Sequence, residues 1–376
     1  MDSGIGFQVI ATEGAARAGI LFTAHGAVPT PAFMPVATHG ALRAFPHHEL
    51  KEAPILLANT YHLYLRPGIE ILTQTQGLHA FMGWHRAILT DSGGYQVFSL
   101  ASHRTLSEEG VLFKSHIDGS RHLFTPEKVV EIQRVIGSDI QMVLDVCPPY
   151  PAMAQEMQEA LYLTHTWAQR ARKTFLENPT ACGYPVQQFG IVQGGVDLEL
   201  RKFSYETLRP LDFEGWAVGG LAVGEPPELR LPILHLMGQI LPPEKPRYVM
   251  GIGTPTDILE AIAAGMDMMD CVLPTRNARH GLIYTLEGVI AIRNAAFRRD
   301  FTPLPPWGYT RAYVHHLFKV ADPLAFTLAT AANLHFFLLL VQKAREHILQ
   351  GTFYAWKAEI ISTIRERIQN KTLYSE

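Results

Sequence analysis

Short apolar runs that end on polar or glycine-rich stretches recur along this chain. Phe33 to Ala37 ends at Thr38-His39-Gly40, Pro54 to Ala58 runs into Asn59-Thr60-Tyr61-His62, and Arg86 to Leu89 runs into Thr90-Asp91-Ser92-Gly93-Gly94-Tyr95. Gln141 to Leu144 ends on Asp145, Gly190 to Val192 on Gln193-Gly194-Gly195, and Trp216 to Val218 on Gly219-Gly220. Tyr248-Val249 ends on Met250-Gly251, and Met266 to Met269 on Asp270. These runs read as strands. Between them lie segments of helical spacing. The clearest is Met153 to Phe175, where Met153, Met157, Leu161, Trp167, Ala171 and Phe175 recur near one or two turns. Pro227 to Leu241 and Thr256 to Ala264 are shorter cases, the latter with Thr256 as N-cap before an acidic first turn. Short apolar strands alternating with helices indicate a parallel α/β sheet. Eight strands counted from Phe33 favour a closed (β/α)8 TIM barrel over an open doubly wound sheet.

Three segments depart from that rhythm. Gly19 to Thr23 reads as a strand before the barrel, turning at His25-Gly26. Val111 to Phe124 reads as a β-hairpin turning at Asp118-Gly119, inserted after the third barrel strand, and Gly281 to Ile292 as another turning near Glu287-Gly288. From Arg293 the chain becomes proline- and aromatic-rich and then helical, while keeping dense apolar content. The reading is therefore a catalytic barrel over 1–292 and a helical C-terminal subdomain over 293–376.

Composition narrows the class. With 47% hydrophobic and 18% charged residues the chain is that of a soluble globular protein, and a net charge of -3 excludes a broadly basic nucleic-acid coat but not a local basic patch. Cys147, Cys182 and Cys271 are too few for a disulfide scaffold and lack metal-site spacing. The N-terminus has no apolar core of signal-peptide type, and the densest apolar run, Phe336 to Val341, falls far short of the ~20 residues a bilayer requires. A cytoplasmic protein is expected.

Catalytic groups of such a barrel collect at the carboxyl ends of its strands. Those ends carry Asp91, Asp145, Gln193, a Gly-Gly pair, Met250 and Asp270. Carboxylates, an amide and glycine backbone suit a neutral, hydrogen-bonding heterocycle, and Tyr95 and Met250 could sandwich its ring. Taken singly, an Asp after a strand is more often a turn or N-cap residue, and a Gly pair a tight turn. Joint occurrence at four separate strand ends raises the functional reading. Asp270 is followed at once by Arg276 and Arg279, a carboxylate beside two guanidinium groups, as chemistry on a phosphate-bearing substrate would require. GxGxxG, P-loop, Gly-x-Ser-x-Gly and HExxH motifs are absent.

Together, TDSGGYQ at Thr90–Gln96, DVCPPYP at Asp145–Pro151, IVQGG at Ile191–Gly195, GGLAVGE at Gly219–Glu225, VMGIG at Val249–Gly253 and DCVLPTRNARHG at Asp270–Gly281 resemble the bacterial-type tRNA-guanine transglycosylases (the queuine/preQ1 tRNA-ribosyltransferase family) over nearly the whole chain. The resemblance implies a pentosyltransferase that exchanges guanine at the wobble position of tRNAs with GUN anticodons for preQ1, a step of queuosine biosynthesis. Asp270 would be the nucleophile forming a covalent tRNA–enzyme intermediate, and Asp91 the general acid/base. Ser92, Tyr95, Asp145, Cys147, Gln193, Gly220, Leu221, Val223, Glu225, Met250 and Gly251 would bind the base, with Leu221 and Glu225 accommodating its aminomethyl group. Arg276 and Arg279 would hold the anticodon neighbourhood. Val223 and Cys147, both of bacterial type, favour preQ1 over the bulkier queuine. The alternatives are a queuine-inserting enzyme, a non-catalytic tRNA-binding partner subunit, and a relative acting on another nucleic acid.

The resemblance also implies a zinc site and a homodimer. At the four zinc-ligand positions this chain carries Phe301, Pro303, Pro306 and Ala332, so no metal and no cofactor is expected. Phe301 and Trp307 are expected to fill the space by apolar packing, while two prolines stiffen the loop. Tyr309, Tyr313 and Phe336–Phe337 are the expected interface aromatics.

Overall fold

The computed structural model describes residues 4–100, 103–178, 182–286 and 288–372, with side chains to residue 364. Eight parallel strands form one sheet: β1 (Ala32–Pro35), β2 (Ile55–Asn59), β3 (Ala87–Asp91), β4 (Ile140–Met142), β5 (Gln187–Val192), β6 (Gly215–Val218), β7 (Arg247–Val249) and β8 (Met268–Cys271). They neighbour one another in chain order. β8 pairs with β1 from Met268↔Ala32 to Cys271↔Pro35, and a parallel bridge Val36↔Leu57 joins the end of β1 to β2. Each strand thus has two neighbours, and the sheet closes into the (β/α)8 barrel that the alternation predicts. The strands are buried almost throughout, as layers on both faces of a parallel sheet demand.

The helices used below are α1 (Thr60–Leu63), α2 (Ala154–Glu177), α3 (Pro255–Ala263), α4 (Leu273–Arg279) and α5 (Leu324–Gln350). In α2 the buried stripe runs through Leu161, Trp167, Ala171 and Phe175, whereas Met153 is exposed and precedes the helix. The cap of α3 is Thr254, whose hydroxyl accepts from the Asp257 N–H at 3.1 Å, and not Thr256. Pro255 explains the difference: it needs no N–H partner in a first turn, so the helix starts there.

The hairpin after β3 pairs Val111↔Phe124 through Lys114↔Arg121, and a further strand, Arg104–Leu106, extends it to three. The hairpin after β8 pairs Leu282–Thr285 with Gly288–Ala291; its predicted turn residue Glu287 lies outside the described residues. An antiparallel sheet of Gly6–Glu13, Ala16–Thr23 and Gly26–Thr30 covers the amino ends of the barrel strands. Two buried carboxylates fasten it there. Asp267, just before β8, accepts from Arg17, and Asp139, just before β4, accepts from His25 and lies 3.3 Å from His79 Nε2.

Between β1 and β2 the chain makes only a 3-10 turn at His47–Glu49. The helix position this leaves open is taken by α5, which packs on β1, with Phe33 and Phe337 rings 5.0 Å apart. At 27 residues, with an 18-residue window of hydropathy 1.9, α5 is long and apolar enough to cross a bilayer, but 72% of that window is buried within the fold. The same packing overturns the interface role expected of Phe336 and Phe337, which are 7% and 0% exposed. Residues beyond 292 divide among three clusters, with Ala331, Leu334 and Leu338 joining one that holds Tyr61, Trp84 and Phe113. Phe336, Phe337, Leu340 and Ile348 join the barrel core, while Leu304, Val314, Leu317, Phe318 and Ala332 pack with Ala278, Ile283 and Ile292.

Candidate active site

The carboxyl ends of the barrel strands surround a cleft of about 560 Å³. Of the base- and tRNA-reading residues expected from the sequence, it brings together Asp91, Ser92, Tyr95, Asp145, Cys147, Gln193, Gly220, Leu221, Val223, Met250, Gly251, Asp270 and Arg276. Arg279 and Glu225 are not on the wall. Arg279 sits one turn beyond Arg276 on α4 and donates to Thr275 O at 2.9 Å. Glu225 is 3% exposed and turned away: its carboxylate accepts from the Ala222 and Val223 amides at 2.5 and 2.9 Å and from Arg230 Nε at 2.6 Å.

Asp270 ends β8. Its Oδ1 accepts from Tyr248 Oη at 2.6 Å and from the Gly251 N–H at 2.8 Å, leaving Oδ2 without a partner among the described residues. Burial raises the Asp270 carboxyl above its usual range, against the pull of those two donors. Burial, then the charge of Asp270, push the Tyr248 phenol well above its ordinary value, so it stays a donor.

Asp91 ends β3, and its register partner on β2 is Asn59. Asn59 Nδ2 donates to Asp91 Oδ2 at 2.5 Å, while the Thr60 and Gly93 amides donate to Oδ1 at 3.2 and 3.1 Å. Burial outweighs these donors, Asp270 adds like charge, and the Asp91 carboxyl is pushed up to about 7. Such a group exchanges protons at neutral pH.

Asp145 and Gln193 form a buried pair. Gln193 Nε2 donates to Asp145 Oδ2 at 2.7 Å, and Ser92 Oγ to Oδ1 at 3.4 Å. Burial raises Asp145 to about 6. Gln193 Oε1 is buried with no partner, an acceptor lacking a donor. The turn after β6 is shaped around this amide: a Cβ on Gly220, whose φ is +65°, would stand 2.3 Å from Gln193 Oε1. Beneath, the fully buried Arg201 ties Val192 O and Gly195 O at 2.6–2.9 Å, bracing the Gln193 loop. Burial pushes the Cys147 thiol up to about 12, so this wall is neutral.

A sequence profile described as queuine tRNA-ribosyltransferase matches residues 12–366. The chain belongs to the queuine tRNA-ribosyltransferase family. Proteins of that name from Caldanaerobacter subterraneus subsp. tengcongensis and Desulforapulum autotrophicum are 49% and 51% identical, over 95% and 92% of this chain and 97% and 95% of theirs. The protein of that name from Nitratidesulfovibrio vulgaris is 48% identical over 96% of this chain and 98% of its own. The sequence alone did not single out Asn59, Tyr248, Arg201 and Arg230, which the structure places against Asp91, Asp270, the Gln193 loop and Glu225. Tyr248 carried a signal: a phenol in a buried barrel strand requires a polar partner.

The family's zinc does not fit here. Phe301, Pro303, Pro306 and Ala332 offer no side-chain donor atom. Nor does Phe301 fill the space as expected, being 72% exposed; Leu304 is the buried residue of that segment, and Trp307 stacks on Phe45 at 5.8 Å. The segment is held by the short pairing of Pro303–Leu304 with Tyr309–Thr310 and by Asp300, which accepts from the Thr302 amide at 2.9 Å and from Arg311 at 3.3 Å.

Proposed function

We propose that this chain is a tRNA-guanine transglycosylase that exchanges the wobble guanine of an anticodon loop for preQ1 by double displacement. The observation that carries the reading is Asp270, with one oxygen held by Tyr248 and Gly251 and the other free at a cleft that also holds a protonatable Asp91. Asp270 Oδ2 attacks ribose C1′ as the C1′–N9 bond breaks, and Asp91 gives its proton to the departing guanine. The incoming base then loses a proton to Asp91 and attacks C1′ as the Oδ2–C1′ bond breaks, and the charge returns to the Asp270 carboxylate, whose Oδ1 is held by Tyr248 and Gly251. Asp145 accepts from N–H groups of the base, and the orphan Gln193 Oε1 accepts another. Tyr95 and Met250 flank the ring.

The base is small. Val223 and Cys147 both line the cleft and leave no allowance for a cyclopentenediol, which supports preQ1 rather than queuine. Glu225 acts at one remove, holding the Leu221–Val223 turn through its amides. Arg276 and Arg279 receive the anticodon loop, whose unpaired bases are cheaply splayed out. The exposed, stacked pair Tyr309 and Tyr313, 5.6 Å apart, supports a contact with a second copy of the chain. Three free cysteines suit a reducing cytoplasm, and we propose that the C-terminal segment holds its shape without zinc.

The test is incubation with a wobble-guanine tRNA transcript and labelled guanine or preQ1. Label enters the RNA with wild type and not with Asp270→Ala. Incorporation by that variant, or none by wild type, overturns the reading.

A further inference from the structure

Next to the cleft, the loop after β1, α1 and the inserted hairpin bring cations and imidazoles together. The His62 ring is part of the cleft wall; the His39 ring lies 4.6 Å from it and the His116 ring 5.8 Å. The groups bearing most on His39 and His62 are all basic: Arg43, Arg66, His39 and His116. Arg43 also bears on Arg279, as does Arg276, which links the basic groups of α4 to the loop after β1. Arg43, Arg66 and Arg276 make no ion pair among the described residues. Like charges held together cost stability, and a one-signed cleft rim focuses its field outward.

We propose that His39, Arg43, His62 and His116 form a subsite for a phosphodiester of the RNA strand whose base enters the cleft. This rests on the reading of the chain as an RNA-modifying enzyme and goes beyond Arg276 and Arg279. The donor chemistry fits an oxyanion. Arg43 is exposed and offers a planar fork of N–H groups. The buried Tyr61 phenol and His116 Nδ1 share a hydrogen bond at 2.7 Å, which ties down one nitrogen of that exposed ring and leaves Nε2 for a ligand. Burial first, then His39, His116 and Arg43, push His62 down to about 4, so at neutral pH it is an uncharged N–H donor, and its buried Nδ1 has no protein partner. A guanidinium flanked by imidazole N–H groups matches the oxygens of a singly charged phosphodiester.

The experiment is salt-dependent binding of an anticodon stem-loop RNA, unmodified or with one methylphosphonate linkage at each loop position in turn. Arg43→Gln and His116→Gln change exposed side chains, and their melting temperatures report folding. In wild type, neutralising one linkage beside the target nucleotide weakens binding several-fold, and Arg43→Gln shows the same loss with unmodified RNA and no further loss at that linkage. Its slope of log affinity against log salt falls by about 0.7. Guanine binding is unchanged. The proposal is overturned if the slope and every linkage effect match wild type. It is also overturned if the variants alter sedimentation while the RNA slope stays the same, which would assign the rim to an acidic surface of a second copy. Failure of wild type to bind the stem-loop at all sinks the RNA reading itself.

Discussion

The two ends of the barrel use the same residue type in opposite ways. At the amino ends, Asp139 and Asp267 are buried and heavily partnered: Asp139 accepts from the His25 ring and from the His25 and Ile88 amides, and Asp267 from Arg17 and the Arg247 amide. At the carboxyl ends, Asp91, Asp145 and Asp270 face only neutral donors. Burial alone would raise Asp139, but hydrogen bonds from His25, His79 and Ile88 outweigh it and hold its carboxyl at about 2, whereas Asp91 rises to about 7 and Asp145 to about 6. Arg17 and Arg172 are ion-paired near the amino ends; at the carboxyl ends Arg230 is paired with Glu225 and Asp257, whereas Arg43 and Arg276 have no ion pair among the described residues. One end holds the fold together; the other keeps charge and proton affinity in reserve for a ligand.

Substitutions should separate these ends. The largest effect after loss of the nucleophile is expected for Asp91→Asn, which removes the proton carrier and lowers kcat by about 10²–10⁴-fold. Because the folded-state pKa of Asp91 is raised, its contribution to stability is present below about 4 and lost as pH rises through about 7. The variant should therefore melt higher than wild type at pH 8 and no higher at pH 4; a lower melting point at pH 8 would break the contrast.

Tyr248→Phe keeps the buried ring and removes one donor to Asp270. An effect of about tenfold on kcat is expected, with the acid limb of the pH–rate profile moved upward and a larger share of RNA held as covalent adduct, since the departing carboxylate is less stabilised. An unchanged profile and partition would reduce Tyr248 to packing.

Asp145 should bind base only when ionised. Guanine affinity is expected to fall as pH drops below about 6 in wild type, and to be weaker and flat with pH in Asp145→Asn. Titration calorimetry across about pH 5–8 checks this.

Asp139→Asn tests the other end. The depressed pKa means its stabilisation is present above about 4 and lost as pH falls through about 2. A loss of roughly 2 kcal/mol is expected at pH 7, with kcat per folded molecule unchanged. The smallest effect is expected from Phe301→Ala and from a strong chelator, each leaving the melting temperature essentially in place. About one tightly held zinc per chain would contradict the metal-free segment.

Much of this was legible in the chain. Each barrel strand is a compact apolar run punctuated by acid, amide or glycine, so the eight strands and the polar groups at their ends could be read directly. What joins those groups was not. Asn59 meets Asp91 only because β2 and β3 align in that register, and Tyr248 reaches Asp270 only across neighbouring strands. Thr256 resembled a cap until Pro255 moved the helix start. Phe336–Phe337 looked like surface aromatics because nothing local says that α5 takes the helix position left open after β1. Phe301 looked like core because hydrophobicity does not encode which side of a short hairpin faces water.

The central claim is that Asp270, through the oxygen not held by Tyr248 and Gly251, forms the bond to ribose. Stem-loop RNA mixed with wild type, quenched in denaturant, digested and mapped by mass spectrometry should carry the ribose adduct on the peptide containing Asp270, and Asp270→Asn should give none. An adduct on Asp91, or one that persists in Asp270→Asn, would contradict the account.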